Sequence, residues 1–384
     1  MRVLLVQKMA GISGSEKYFL TILPQLRRLG IDASFLVVQH PENAEMNTAF
    51  IAELRSVDVP VDIIESRFPI SPLLIYRIAR LIRHKNFDLL QTNLIHADVW
   101  GSCIKKFLLP QLTVVSLKHG YSESFQTAYG LDSKYIKSDS WSILTRWAAK
   151  YSDKVVCISA ALEKFLVNGG LVDSTKALTI PYGCDFSQVP SLVECGKLRF
   201  GNPQLVVPGR VVPVKQHHLL IQVLPEIIKK FPNISVVMVG AGPLLDALRT
   251  STEEMGLSGN VRWEGFRANM HDYLRDSDVS VIPSAAEGFG VVVLESWAHG
   301  KPVVCFDVPA LNEIINSGQD GILVKPFDTR HLLSSLTDLL SDPEKTKALG
   351  AAGKRKQLEI YGLDAMCERT IATYREALSL RLVR

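Results

Sequence analysis

The residues best suited to chemistry lie in the stretch Glu287-Gly288-Phe289-Gly290-Val291-Val292-Val293-Leu294-Glu295. A short apolar run, Val279 to Pro283, and a loop of small residues, Ser284-Ala285-Ala286, come before it. A helical pattern ending near His299-Gly300 follows. Two glycines therefore sit at the mouth of an expected helix, where they let a ligand come close to the backbone. The free N–H groups of a first helical turn, together with the helix dipole, favour a phosphate. Carboxylates repel a phosphate, so Glu287 and Glu295 are better suited to accepting hydrogen bonds from hydroxyls, as on a sugar and a ribose. A phosphate flanked by two polyols describes a sugar nucleotide. Taken alone, the stretch also reads as a strand-turn-helix corner with incidental acids.

Other loops add to this. Pro208-Gly209-Arg210-Val211-Val212-Pro213-Val214-Lys215 follows an apolar strand pattern and places two fixed cations, Arg210 and Lys215, at its carboxyl end. Such a pair can neutralise a diphosphate leaving group. Val239-Gly240-Ala241-Gly242-Pro243 resembles a dinucleotide fingerprint, but its third glycine would fall at Leu245, so a flavin or nicotinamide site is not expected. Asp276-Ser277-Asp278 could hold a divalent metal. It runs straight into a strand, reads as a junction with solvated acids, and no essential metal is expected. In the first half, Gly11-Ile12-Ser13-Gly14-Ser15-Glu16 opens a helix, with Ser13 or Ser15 able to cap it and Gly14 allowing close backbone approach. His119, in Ser116-Leu117-Lys118-His119-Gly120, ends a strand and can hydrogen-bond a substrate hydroxyl or handle a proton. His96 also follows a strand but begins a helix and is the weaker candidate.

The elements that must position these residues alternate. Strands are expected at Arg2–Gln7, Ala33–Val38, Val61–Ile64, Leu89–Thr92, Thr113–Leu117, Lys154–Ile158 and Ala177–Ile180. Helices are expected between them, at Ser15–Leu29, Pro72–His84, Ala97–Phe107, Trp141–Tyr151 and Ala160–Asn168. After a turn-rich segment the alternation restarts with strands at Gln204–Val207, Ile234–Val239, Val261–Glu264, Val279–Pro283 and Pro302–Phe306. Helices are expected from Gln216, Pro243, near Met270–Arg275, from Val291 and from Ala310, and then along Thr329–Ser341 and Glu344 to about Arg381. Near-continuous apolar strands separated by helices imply parallel sheets covered on both faces. The fold class is α/β, with two doubly wound Rossmann-like domains facing a central cleft. The expected boundaries are 1–190, a linker at 191–203, a second domain at 204–360, and a helical tail at 361–384 that packs back on the first domain. Ligands of such sheets bind beyond the carboxyl ends of the strands, and facing domains would hold them in the cleft.

The bulk numbers agree. A chain of 384 residues, 47% hydrophobic and 21% charged, fits two soluble domains. The opening residues, Met1 to Gln7, read as a strand rather than a signal peptide, and a cytoplasmic location is expected. The six cysteines show no Cys-x-x-Cys pairing and read as buried thiols. Residues 1–190 carry 21 Lys and Arg against 17 Asp and Glu, while residues 191–384 carry 22 of each. That excess is too small for a nucleic-acid partner, but it suits an anionic surface or acceptor. Ile75–Lys85 spaces Arg77, Arg80 and Arg83 against apolar neighbours, and Lys105-Lys106-Phe107-Leu108-Leu109 has the same character. Together they form a surface that can dock peripherally on anionic lipid; an ordinary amphipathic helix over the sheet is the plainer alternative.

Taken together, the motifs resemble retaining glycosyltransferase family 4, with the GT-B fold. The resemblance rests on Gly14-Ser15-Glu16, Lys118-His119-Gly120, Ile180 to Asp185, Gly209 to Lys215, Val239 to Pro243, Glu287 to Glu295 and His299 to Val304, in family order over nearly the whole chain. It implies that Arg210, Lys215 and the amides of Gly290 and Val291 contact the donor diphosphate. It also implies that Glu287, in the Gly288-Phe289-Gly290 setting, binds the donor sugar and Glu295 the ribose. His119 would assist at the sugar, Gly14 would approach the diphosphate, and Glu16 would face the acceptor. Asp185, in the family's Pro-Asn-Gly-Val-Asp position, would shape the interdomain loop. Two departures stand out. The family's Gly-Gly-x-x-Glu is Pro309-Ala310-Leu311-Asn312-Glu313 here, and its N-terminal glycine pair has lost one member. The implied activity is retaining transfer of a sugar, by front-face displacement and without a cofactor or metal, from a nucleoside-diphosphate sugar to a glycan or lipid-linked glycan in cell-surface polysaccharide or glycolipid synthesis. The alternatives are a nucleotide-sugar epimerase and a catalytically silent GT-B subunit. Tyr121–Asp139, polar and aromatic, is a candidate acceptor lid.

Overall fold

Val3-Leu4-Leu5-Val6 shows no polar alternation and is fully buried, as a strand covered on both faces must be. The structure, a computed structural model, describes residues 1–11, 14–186 and 191–382. The first sheet contains β1 (Arg2–Met9), β2 (Asp32–Gln39), β3 (Val61–Glu65), β4 (Leu89–Asn93), β5 (Thr113–Lys118), β6 (Lys154–Cys157) and β7 (Ala177–Thr179). Its order is β3-β2-β1-β4-β5-β6-β7, and every pair is parallel. The second sheet contains β8 (Gln204–Pro208), β9 (Ser235–Val239), β10 (Val261–Gly265), β11 (Val279–Ile282), β12 (Val303–Phe306) and β13 (Ile322–Val324). Its order is β10-β9-β8-β11-β12-β13, again all parallel. Helices flank both sheets, giving two Rossmann-like units of the expected α/β class.

Local signals start and stop the helices. Ser71 caps the Pro72–His84 helix, its hydroxyl accepting from Leu74 N at 3.2 Å, with Pro72 in the first turn. Asp139 and Ser142 form a capping box on Ser140–Tyr151. Several elements differ from the sequence reading. Thr48–Ser56 and Glu123–Tyr129 are additional helices, and β13 is an additional strand too short to show a pattern. The expected Ala97–Phe107 helix starts at Leu94 and ends in a π turn, Ile104–Leu108. The helix expected from Ala310 is only Leu311–Ile314. The run from Glu344 divides into Pro343–Ile360 and Leu363–Leu382, broken at Tyr361-Gly362.

The chain forms two compact units. One comprises Met1–Tyr121, Asp132–Gly183 and Leu363–Arg384, and the other Ser122–Leu131 and Cys184–Gly362. Within the first, the Leu363–Leu382 helix is built into the body. Tyr374 is fully buried and its hydroxyl donates to Gln91 Oε1 on β4; Met366 Sδ accepts from Gly183 N at 3.2 Å; Lys154 pairs with Glu376 at 2.5 Å. Within the second, the expected linker 191–203 is bound in place. Asp272 accepts from Ser191 Oγ at 2.7 Å and from Leu192 N at 3.0 Å. Asp276 accepts from Gly196 N at 2.9 Å and Leu198 N at 3.0 Å, and Arg199 pairs with Asp278 at 2.6 Å. Asp276 is therefore buried and engaged rather than solvated. Burial opposes its ionisation, but hydrogen bonds from Arg275 and the two amides outweigh burial and hold its carboxyl below the usual range. Of the cysteines, Cys157, Cys305 and Cys367 are buried thiols, whereas Cys195 is exposed.

The Tyr374–Gln91 contact gives a stability test. Tyr374→Phe keeps the ring but strands a buried amide oxygen, so unfolding of the first unit should become easier by about 1–3 kcal/mol. Urea denaturation followed by tryptophan fluorescence reads the shift. An unchanged midpoint would show that the contact carries no stability.

Candidate active site

In the second unit the chain runs from β8 to β9 and β10 on one side, then returns to β11 on the other. Loops leaving β8 and β11 open next to each other at the carboxyl edge, the place where doubly wound sheets take ligands. The first loop carries Arg210 and Lys215, and the second carries Glu287 to Gly290. The structure brings them together. Lys215 Nζ pairs with Glu287 Oε1 at 2.5 Å, and both side chains are mostly covered, 16% and 14% exposed. One turn earlier, Ala285 N donates to Val214 O at 2.8 Å. Arg210 is exposed on the same loop.

The resemblance of Val239–Pro243 to a dinucleotide fingerprint has a packing cause. Gly209 N donates to Val239 O and Val211 N to Ala241 O, both at 3.0 Å, so the two loops lie backbone to backbone. A Cβ at Gly240 would stand 1.7 Å from Gly209 O, and one at Gly242 2.3 Å from Val211 O. Those glycines admit the cation-bearing loop rather than a ligand phosphate.

Gly290 precedes the Val291–Ala298 helix with φ +98°, a conformation that suits glycine. A side chain there would also strike Leu311 Cδ2 at 2.5 Å. Leu311 thus packs directly against this glycine, which is itself buried at the helix N-terminus. Immediately before Leu311, buried Ala310 holds φ +74°, ψ −43°. The alanine thus retains a backbone turn normally given to glycine, at a cost in strain. Glu295 lies half-buried within the helix and acts electrostatically on the Cys184 thiol, which burial chiefly, and this carboxylate next, push up to about 12.

In the first unit, His119 follows β5. Its Nδ1 lies 2.7 Å from the Tyr182 hydroxyl, and its Nε2 is buried with no hydrogen-bond partner among the described residues. Tyr18 stands edge-on to both rings, 5.3 Å from His119 and 5.2 Å from Tyr182. Below it, Lys118 pairs with Asp98 at 2.5 Å, and Asp98 also accepts from Thr92 Oγ1 at 2.5 Å and Ser116 Oγ at 2.7 Å. Such a set satisfies a carboxylate kept from water. Glu16 is buried and accepts from Gln7 Nε2, so its carboxylate is used inside the unit. Gly14 opens the Gly14–Arg28 helix, while Ile12 and Ser13 and the Ser15 side chain lie outside the described residues.

Sequence reasoning missed Asp98 and His217. Asp98 lies inside the Leu94–Cys103 helix, which is buried from Ala97 to Ser102 with no separate polar face, and nothing local distinguishes it. His217, two residues after Lys215, is buried beside Trp263, its Nδ1 without a hydrogen-bond partner among the described residues. Burial, then the charges of Lys215 and His218, lower its pKa to about 4. Burial likewise lowers His119 to about 4, opposed by Asp98. His299, its Nε2 2.8 Å from His271 Nδ1, is lowered to about 4 by burial and then by His271. These bases are neutral when folded and ordinary, near 6.5, when unfolded. The unfolded chain thus binds more protons between those values, and stability falls as pH drops from 6.5 toward 4. Urea midpoints measured across that window should decline, and His217→Gln should flatten the decline. An unaltered slope in the variant would remove His217 from the account.

Comparison with known proteins agrees with this geometry. Residues 12–188 match the family described as Glycosyltransferase Family 4, and residues 196–356 match Glycosyl transferases group 1. The chain is 31% identical over 154 residues to the putative glycosyltransferase EpsD of Bacillus subtilis (strain 168), covering 40% of each chain. It is 29% identical over 257 residues to a D-inositol 3-phosphate glycosyltransferase of Kineococcus radiotolerans, covering 60% of this chain and 58% of that one. The matched stretches span about half the length of these relatives. Among solved structures, Anabaena Alr3699/HepE in complex with UDP and glucose superposes with a TM-score of 0.81 at 20% identity, covering 98% of this chain and 100% of the other. A sucrose-phosphate synthase from Thermosynechococcus elongatus superposes with a TM-score of 0.76 at 16% identity, covering 99% of each. The chain belongs to glycosyltransferase family 4 and has the GT-B fold.

Proposed function

We propose that the chain is a retaining glycosyltransferase that moves a sugar from a nucleoside-diphosphate sugar to a hydroxyl of a glycan or lipid-linked glycan. The observation that carries the reading is the Lys215–Glu287 pair, which joins the β8 and β11 loops beside the N-terminus of the Val291–Ala298 helix. Cation, hydroxyl acceptor and amide donors thus converge, as a sugar diphosphate requires. Arg210, Lys215 and the amides from Gly290 and Val291 take the diphosphate. Glu287, with Gly288 and Phe289 shaping its turn, takes the sugar, and Glu295 the ribose. The acceptor oxygen bonds to the anomeric carbon as the bond from that carbon to the diphosphate oxygen breaks on the same face, and the acceptor's hydroxyl proton passes to the departing diphosphate. Negative charge then grows on the leaving phosphate, and fixed cations and amides stabilise it as it forms. His119 hydrogen-bonds the sugar. Gly14 is assigned to the diphosphate and Glu16 to the acceptor side by family position. The two cations supply the charge that a metal would otherwise bring, and Asp272, Asp276 and Asp278 are already engaged, so turnover should survive chelation with EDTA. The relative that holds UDP and glucose makes UDP-glucose the first donor to test.

Membrane contact is part of the same proposal. No described helix is long and apolar enough to cross a bilayer. The Pro72–His84 helix and the turn before it expose Phe68 (68%), Leu73 (67%) and Tyr76 (56%), and Phe107 (65%) on the π turn is exposed as well. Arg83 bonds Leu108 O at 2.8 Å and so joins helix to turn. Residues 66–86 and 101–112 contain no Asp or Glu, while Arg67, Arg77, Arg80 and Lys106 are exposed among these rings. A cationic, apolar face suits an anionic lipid surface on the cytoplasmic side, where a lipid-linked acceptor would lie.

Three measurements test these readings. Lys215→Ala and Arg210→Ala should each lower turnover of the donor by about a hundredfold or more, the scale of one lost transition-state donor. Product anomers read by NMR separate retention from inversion, and transfer from epimerisation of the free donor. Near wild-type turnover in both variants would sink the assignment. In flotation, the protein should bind vesicles of anionic lipid and not neutral ones, and Leu73→Glu with Phe107→Glu should release it. No binding to either vesicle would retire the membrane reading.

A further inference from the structure

Tyr182 is buried, and its hydroxyl lies 2.7 Å from His119 Nδ1. We infer that Tyr182 is a positioning residue that fixes His119 in the Nε2–H tautomer, so that the ring presents a hydrogen-bond donor, and not a base, to an oxygen of the donor sugar.

The direction of the Tyr182–His119 bond follows from the groups. A phenol is the more acidic O–H partner and an imidazole nitrogen the more basic acceptor. Between neutral phenol and neutral imidazole the O–H therefore donates to the ring. Nδ1 becomes the acceptor, and the ring's own proton must sit on Nε2. That atom is the one left buried without a partner among the described residues. A buried N–H with nothing to bond is costly, and such a group is retained where a ligand completes it. Tyr18 and Phe19 pack edge-on around the imidazole and limit ring rotation. Burial keeps the ring neutral despite Asp98 nearby, so the tautomer, and not protonation, decides what His119 can do. Sugar hydroxyl and ring oxygens are acceptors that an N–H can serve, and they abound on a glycosyl donor.

This inference rests on the reading of His119 as a sugar contact, but its first test does not need substrate. With 15N-labelled histidine, the His119 signals, identified by their loss in His119→Gln, should show a proton-bearing Nε2 and a bare Nδ1 at pH 7.5. Tyr182→Phe should then shift His119 toward a mixture of tautomers while the other histidine signals stay in place. A proton on Nδ1 in the wild-type protein, or an unchanged ring in Tyr182→Phe, would overturn the inference whatever the enzyme turns over.

The second test uses UDP-glucose as probe. Tyr182→Phe should lower its turnover about tenfold in the wild-type background and hardly at all in His119→Ala, because the tyrosine acts through the histidine. Equal losses in both backgrounds would mean a purely structural tyrosine. His119→Gln, which keeps an N–H at the Nε2 position, should retain more activity than His119→Asn. If UDP-glucose is neither bound nor turned over while the tautomer is as stated, the donor assignment fails and the histidine geometry stands.

Discussion

The second unit depends on one ion pair. Lys215 and Glu287 come from loops far apart in sequence, and each is largely withdrawn from water. A charge so placed is expensive without its partner, so neither loop can relax independently. Their bond fixes the distance between β8 and β11 loops, and the Ala285–Val214 bond repeats the constraint on the backbone. Around it the packing has the same purpose. Gly240 and Gly242 let one loop settle against its neighbour, and Leu311 presses on Gly290 from behind the helix mouth. The result is a polar site organised before any ligand arrives, which is the condition under which fixed charges act on a transition state rather than reorganise with it.

Much of this was legible in the chain. Strands without polar alternation, separated by helices, required parallel sheets with both faces covered, and β1 to β12 fall within a residue or two of where the apolar runs placed them. Arg210, Lys215 and the glycine-flanked acids announced themselves because their spacing matches a turn of loop or helix. Local reading failed where proximity is created by the fold. Asp98 meets Lys118, Ser116 and Thr92 only because β4 and β5 are neighbours. Asp276 looked solvated because its partners, the amides of Gly196 and Leu198, lie about eighty residues upstream. Short pieces such as β13 and the Leu311–Ile314 helix carry too few residues to show a period.

The two units use polarity differently. In the second, a net-neutral pair of charges is held at a loop junction beside an exposed arginine. In the first, Lys118 and Asp98 near His119 are satisfied within the unit, and the imidazole is an uncharged, buried ring boxed by aromatic edges. Tyr182 stands where the family's pattern has asparagine, and Ala310 where it has glycine. At Ala310 the positive-φ turn is kept while the side chain changes, so that difference bears on local chemistry more than on fold.

The Leu363–Leu382 helix has a consequence for how the protein is made. Its buried face completes a unit whose sheet ends at β7, some 180 residues upstream. During synthesis at a few to twenty residues per second, on the order of ten seconds or more separates the emergence of that sheet from the helix that covers it. Throughout that interval Gln91 lacks the tyrosine hydroxyl it bonds in the finished protein. The second unit, whose strands lie between, can finish its sheet first, so the half that is translated first is the half that matures last.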